Sequence, residues 1–215
     1  MASGHYGYDR LPPIRHGLVE IDHAVFEANQ AHIRSAVITT ENSVPLGYTV
    51  PAFATVDDAV RRVTLDDIVA NGPAVLIFYR GAWSRRCTEA LRRYERELLP
   101  ELYRRGVNLV GISPQLPDGS QYTRVLNNLT FPLLTDSGNV IARTLGIAHF
   151  ADPNTMDTVE RAGYAVGKRN SDGEWELPHP TTLILDHRRT VRFIDVRVDG
   201  LPPTHPKDIL AELHS

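Results

Sequence analysis

An alternation of short apolar runs with helical periodicities constrains this chain most. AVLIFYR (74–80), NLVGIS (108–113), FPLLT (131–135) and TTLILD (181–186) are strand-length and nearly continuous in apolar residues. Such runs read as strands buried on both faces. Between them, 85–105, 120–128 and 140–147 read as helices, and a last helix falls at about 206–213. Thr64 followed by Asp67 predicts an N-capped short helix over 65–70. TVRFIDV (190–196) is expected to pair with TTLILD across the turn HRR. GYAVGKR (163–169) is expected to form a hairpin with EWELP (174–178) through NSDG. Strands alternating with helices imply an α/β fold, with a mixed central sheet covered on both faces.

The first 46 residues differ in character. Residues 1–17 carry Gly, Pro, His and Tyr without periodicity and read as a loose arm. A helical pattern then runs from Leu18 to Val37, and the polar stretch TTENS (39–43) ends it. The organisation expected is an N-terminal arm and helix over 1–46, then one domain over 47–215. The simplest role for the extra helix is packing or dimerisation, so a homodimer is one arrangement it would serve.

Composition excludes several function classes. With 42% hydrophobic and 23% charged residues among 215, the chain has enough apolar material for a core. A net charge of -3 offers no general attraction to nucleic acid or anionic membrane. No apolar run approaches the roughly 20 residues that cross a bilayer. The N-terminal residues lack the apolar core of a secretory signal, so a cytoplasmic location is expected. Cys87 is the one cysteine, which rules out an intrachain disulfide and a multi-cysteine zinc site. The nine histidines show no metal-type spacing, and neither a phosphate-binding glycine loop nor a serine-hydrolase elbow occurs. No metal and no cofactor are expected.

Chemistry concentrates in FYRGAWSRRCTEAL (78–91). A buried strand ends at Arg80, Gly81 turns the chain, and a helix opens with Ser84 as its N-cap. Cys87 is then the third helical residue, where unpaired N–H groups and the helix dipole favour a thiolate. Arg80, Arg85 and Arg86 add positive charge. Cations in a first helical turn normally cost about 0.3–1 kcal/mol each, so a local rule is broken where a functional site would break it. Cys87 also continues the apolar stripe Leu91, Tyr94, Leu98, Leu102, so inert packing stands beside the reactive reading.

The segment YRGAWSRRCT resembles the active-site loop of peroxiredoxins, in which proline, Thr or Ser, and the peroxidatic cysteine keep a fixed spacing. Ser84 and Cys87 match the last two, and Arg80 stands where the proline would be. A closer resemblance is to a peroxiredoxin-like branch of the alkyl hydroperoxide reductase and thiol-specific antioxidant superfamily. Its members read FYRGxWCPYC, then ISPQ, FPVLSD and WELPxPAT. This chain has FYRGAWSRRC (78–87), GISPQLPDG (111–119), FPLLTD (131–136) and WELPHPTTLILD (175–186), in that order. The resemblance covers about 47–213 and implies a thioredoxin-like fold, with Pro180 as a cis-proline beside the active site.

The departures from that pattern set the expected function. Ser84 replaces the first cysteine of the branch's CxxC, and serine cannot form the mixed disulfide of dithiol exchange. Arg85 and Arg86 replace its proline–tyrosine pair. The strand arginine that faces the cysteine in typical peroxiredoxins is absent, with His179–Pro180 at that place. The resemblance implies a single-cysteine peroxidase, with Cys87, Ser84 and Arg80 catalytic. Tyr79, Trp83, Arg85, Arg86, His179 and Pro180 are the expected substrate contacts. Its partners are a small-molecule substrate, peroxide or metabolite, and an external thiol reductant. The alternatives are a repurposed thioredoxin-fold enzyme with non-redox chemistry, and a catalytically silent binding protein.

Overall fold

The computed structural model describes residues 43–151, 153–161, 163, 166–198 and 201–213. The helix expected over 18–37 lies outside them. Nine strands are present among the described residues: β1 (Ala54–Asp57), β2 (Arg62–Thr64), β3 (Ala74–Phe78), β4 (Asn108–Ser113), β5 (Leu133–Thr135), β6 (Ala148–Phe150), β7 (Glu176–Pro178), β8 (Thr181–Leu185) and β9 (Val191–Val196). Seven form one sheet in the order β2-β1-β5-β4-β3-β8-β9, and β6 and β7 form a separate ribbon. The central β3, β4 and β5 run parallel, while β8, β9, β1 and β2 are antiparallel to their neighbours. This is the mixed sheet expected of a thioredoxin-like fold.

The helices are α1 (Leu65–Val69), α2 (Arg85–Arg93), α3 (Leu99–Arg104), α4 (Pro117–Leu126), α5 (Val140–Thr144), α6 (Pro153–Arg161), α7 (Val166–Arg169) and α8 (Pro206–Glu212). At α1 the expected cap is realised as a capping box. Thr64 Oγ1 accepts from Asp67 N at 3.1 Å, and Asp67 Oδ2 accepts from Thr64 N at 2.9 Å. Alternation along β3 divides the core. Ala74, Leu76 and Phe78 enter a cluster with α1 and α5, whereas Val75 and Ile77 enter one with α2, α3 and α8. The sheet is thus buried on both faces, which is why its central strands read as continuous apolar runs.

Four sequence expectations are corrected. The helix over 85–105 is interrupted by a π-helical turn at Tyr94–Leu98. Pro100 lacks an N–H and would strike the carbonyl four residues back, so the coil widens ahead of it. The helix expected at 120–128 begins earlier, at Pro117, whose fixed φ suits a first turn. The hairpin of 163–169 with 174–178 does not form: Val166–Arg169 is helical, and Glu176–Pro178 pairs with Ala148–Phe150. Gly167 packs against Trp175 there, and Asn170 Nδ2 donates to Glu174 O at 2.7 Å, so the turn chemistry closes a helix end. Finally, no peptide bond among the described residues is cis, so Pro180 is trans. Trans is the lower isomer by about 0.5–1 kcal/mol. His179 N donates to Ile147 O, and Pro180 O accepts from Arg197 N, both at 2.8 Å, which holds the extended path into β8.

Candidate active site

Cys87 sits where β3 hands over to α2, at the carboxyl end of the central strand. Ser84 is the N-cap residue, with extended backbone, and Cys87 is the third residue of the helix. The Ser84 hydroxyl makes no capping hydrogen bond, so it does not satisfy the first N–H groups of α2. Cys87 is 2% exposed and heads a buried stripe of Leu91, Tyr94, Leu98 and Leu102. That stripe anchors the helix, and with it the sulfur, to the sheet.

The loop ahead of the cysteine is pinned by Gln115, from the segment after β4. Phe78 and Ile112 are register partners, which brings the two strand ends side by side. Gln115 Oε1 accepts from Ala82 N at 2.9 Å. Its Nε2 donates to Tyr79 Oη at 3.2 Å, Thr123 Oγ1 at 3.1 Å and Ser120 Oγ at 3.3 Å. Gly81 has φ +133°, and an added Cβ would lie 3.0 Å from Trp83 Nε1 and 3.1 Å from Gln115 Oε1. Glycine therefore lets the loop come close to the amide that holds it. Sequence reasoning quoted Gln115 within GISPQ without giving it a role.

The predicted site residues separate into groups. Tyr79 is buried beneath the loop with its hydroxyl in the Gln115 network, and burial raises its pKa. Its placement is that of a support. Arg85 points to solvent and donates to Glu89 at 2.8 Å, so the structure does not bring it to the others. Arg86 occupies the second position of α2. Arg80 is different: its Nε is buried without a partner, burial lowers its pKa, and the Cys87 sulfur opposes that shift. Trp83 packs on an apolar cluster of Val159, Val166, Trp175 and Leu177, which ties the loop to the segment carrying α6, α7 and the ribbon.

The β3–β8 register, with Phe78 opposite Thr181, sets His179 opposite Arg80 two residues on, without the cis peptide expected to steer it. His179 also stacks on His149, a residue sequence reasoning missed, with ring centroids 3.8 Å apart and 6° between planes. His149 pairs with Leu177 in the ribbon, so His179, two residues on, is its diagonal neighbour on one face. Burial holds both imidazoles neutral, His179 down to about 4 and His149 down to about 2, and the Arg80 charge pushes each the same way. Among the described residues no group of three His, Cys, Asp or Glu side chains could hold a metal ion.

The arrangement offers one enclosed sulfur at a helix start, one arginine with a buried Nε and a pair of neutral imidazoles. A curated relative, the putative peroxiredoxin bcp of Coxiella burnetii, is 28% identical over 160 residues, covering 74% of this chain and 93% of its own. The structure resembles peroxidoxin BcpB of Mycobacterium tuberculosis, with TM-score 0.64 and 22% identity, covering 79% of this chain and 96% of that one. It also resembles a yeast mitochondrial 1-Cys peroxiredoxin, with TM-score 0.59 and 14% identity, covering 80% and 75%. Residues 46–194 match the AhpC/TSA family as a whole. With its lone cysteine at the head of α2 and that match over most of its length, the chain belongs to the AhpC/TSA family.

Proposed function

We propose that this protein is a thiol-dependent peroxidase that reduces a hydroperoxide through Cys87 alone. The observation that carries the reading is the placement of its one cysteine as the third residue of α2, just past the turn that carries Arg80 with its buried Nε, in an AhpC/TSA chain. The Cys87 thiolate attacks the outer peroxide oxygen, and the O–O bond breaks as the S–O bond forms. The sulfur leaves as a sulfenic acid and the alkoxide takes a proton to become the alcohol. Two electrons have passed from sulfur to oxygen. Arg80 supplies a fixed positive charge where the departing oxygen becomes negative, in a water-poor site where such charge counts most. Ser84, at the start of the same helix, offers a hydroxyl to the peroxide.

Restoring the thiolate needs two electrons from outside the chain, because no second cysteine exists. An external thiol condenses with the sulfenic acid, releasing water and forming a mixed disulfide. A second thiol then frees Cys87. The yeast 1-Cys neighbour is described as resolved through glutathione and thioredoxin systems, which supports a low-molecular-weight thiol or small thiol protein here. No described helix is long and apolar enough to cross a membrane, which accords with a cytoplasmic setting. The test is single-turnover oxidation by hydrogen peroxide, followed by dimedone trapping. Wild type should consume one peroxide per chain and carry the adduct at Cys87, and Cys87→Ser should do neither. Absence of both in wild type would overturn the reading.

A further inference from the structure

Around Arg80, five buried polar atoms have no hydrogen-bond partner among the described residues. They are Arg80 Nε, Trp83 Nε1, His149 Nδ1 and both ring nitrogens of His179. Buried polar atoms are normally paired, and a cluster of exceptions calls for an explanation. His179 is only 6% exposed, so bulk water does not supply the missing partners. The cluster is not a by-product of loose packing. The β6–β7 ladder fixes the imidazoles, and the apolar cluster under Trp83 fixes the indole.

Donors outnumber acceptors in the set. Arginine Nε and the indole nitrogen can only donate, and a neutral imidazole donates from one nitrogen and accepts at the other. Arg80 adds a full positive charge, and no carboxylate belongs to the group. Phe78 pairs with Thr181 in the antiparallel β3–β8 ladder, so that register carried two residues on sets Arg80 opposite His179, and Arg80 and Trp83 lie in the loop that leads into α2 and Cys87. A ligand satisfying these atoms must be rich in acceptors and negatively charged, and a planar carboxylate meets both needs.

We propose that Arg80, Trp83, His149 and His179 form a binding subsite for the carboxylate of an organic hydroperoxide, selecting anionic over neutral peroxides. The inference rests on the reading that Cys87 reduces a hydroperoxide. It adds that the preferred substrate carries its own negative charge, held by the histidine pair and Arg80 while the peroxy group meets the sulfur.

The experiment compares the second-order rate of Cys87 oxidation by 4-carboxycumene hydroperoxide and by its methyl ester, in single turnover. Wild type should favour the acid by roughly tenfold or more, the effect expected of a buried charge-assisted hydrogen bond. His149→Phe and His179→Phe keep an aromatic ring in the stack and should bring the ratio close to one. A wild-type ratio at or below one, or a preference that survives both variants, overturns the subsite. Benzoate binding, read at the Trp83 indole N–H resonance, separates the two failures. A benzoate shift without oxidation by either probe would leave the subsite standing and remove the peroxidase reading. Equal oxidation with no benzoate shift would do the reverse.

Discussion

His149 and His179 lie face to face, 3.8 Å between ring centroids, because a short ribbon makes them diagonal neighbours. Two imidazoles that close cannot both be charged, and their burial near Arg80 keeps both neutral. The pair is thus a pH-sensitive element of the fold.

The sign of that sensitivity follows from linkage. Each ring takes up a proton near pH 6.5 when unfolded, but in the fold only near about 4 for His179 and about 2 for His149. Below 6.5 the unfolded chain therefore binds more protons, and stability rises with pH. The contribution is complete above about 6.5. It falls away as the pH drops, ending near 4 for one ring and near 2 for the other. The expected slope is about 1.4 kcal/mol per pH unit per histidine. Urea unfolding between about pH 6.5 and 5 should show it, and His149→Phe with His179→Phe should flatten it. An unchanged slope in the double variant would mean that the rings are not held neutral.

Gln115 should matter more than any single contact of the loop. Gln115→Leu leaves Ala82 N without its acceptor and Tyr79 Oη without its donor, at about 1–3 kcal/mol for each buried group left unpaired. Chemical denaturation should register a loss of about 2–4 kcal/mol. Cys87 oxidation should slow as well, because the loop that positions Arg80 loosens. Tyr79→Phe, which removes one hydrogen bond, should cost about 1 kcal/mol.

The two arginines on either side of the turn should separate cleanly. Arg80→Gln removes the positive charge at the head of the cysteine loop and is expected to slow peroxide reduction by about 10²-fold. Arg85→Gln breaks an exposed pair with Glu89, a type of contact worth about 0.3–0.5 kcal/mol on a helix. Its effect on the rate should be much the smaller. Stopped-flow oxidation of both variants, with circular dichroism to verify the fold, decides the point. Equal effects would show that Arg80 is not the cation that serves the reaction.

Ser84→Cys should rebuild a redox pair. Residues 84 and 87 are one helical turn apart at the start of α2, a separation that a disulfide can span. The thiol at 84 is the more exposed, so it should attack a disulfide substrate and Cys87 should resolve the product. The variant should reduce insulin disulfides in an assay where wild type is silent. Failure to form the 84–87 bond under strong oxidant would count against the thioredoxin-type geometry of this loop.

Local signals in the sequence determined the central strands, the cap at Thr64 and the start of α2 at Arg85 with Cys87 as its third residue. Each depends on near neighbours: apolar continuity for β3, β4 and β8, and a cap with an acid three residues on for α1. The single cysteine needed no structure to mark it. What only the tertiary structure decided is the company that cysteine keeps. Strands of three residues, like β6 and β7, are too short to show a period, and turn residues at 170–173 suit a helix end as well as a hairpin. Their long-range pairing put His149 against His179, and the side-by-side ends of β3 and β4 gave Gln115 its grip on Ala82. Residue type alone assigns a histidine or an arginine no role at all. Burial and neighbours enclose Arg80 Nε and leave Arg85 on the surface, and those are properties of the folded chain.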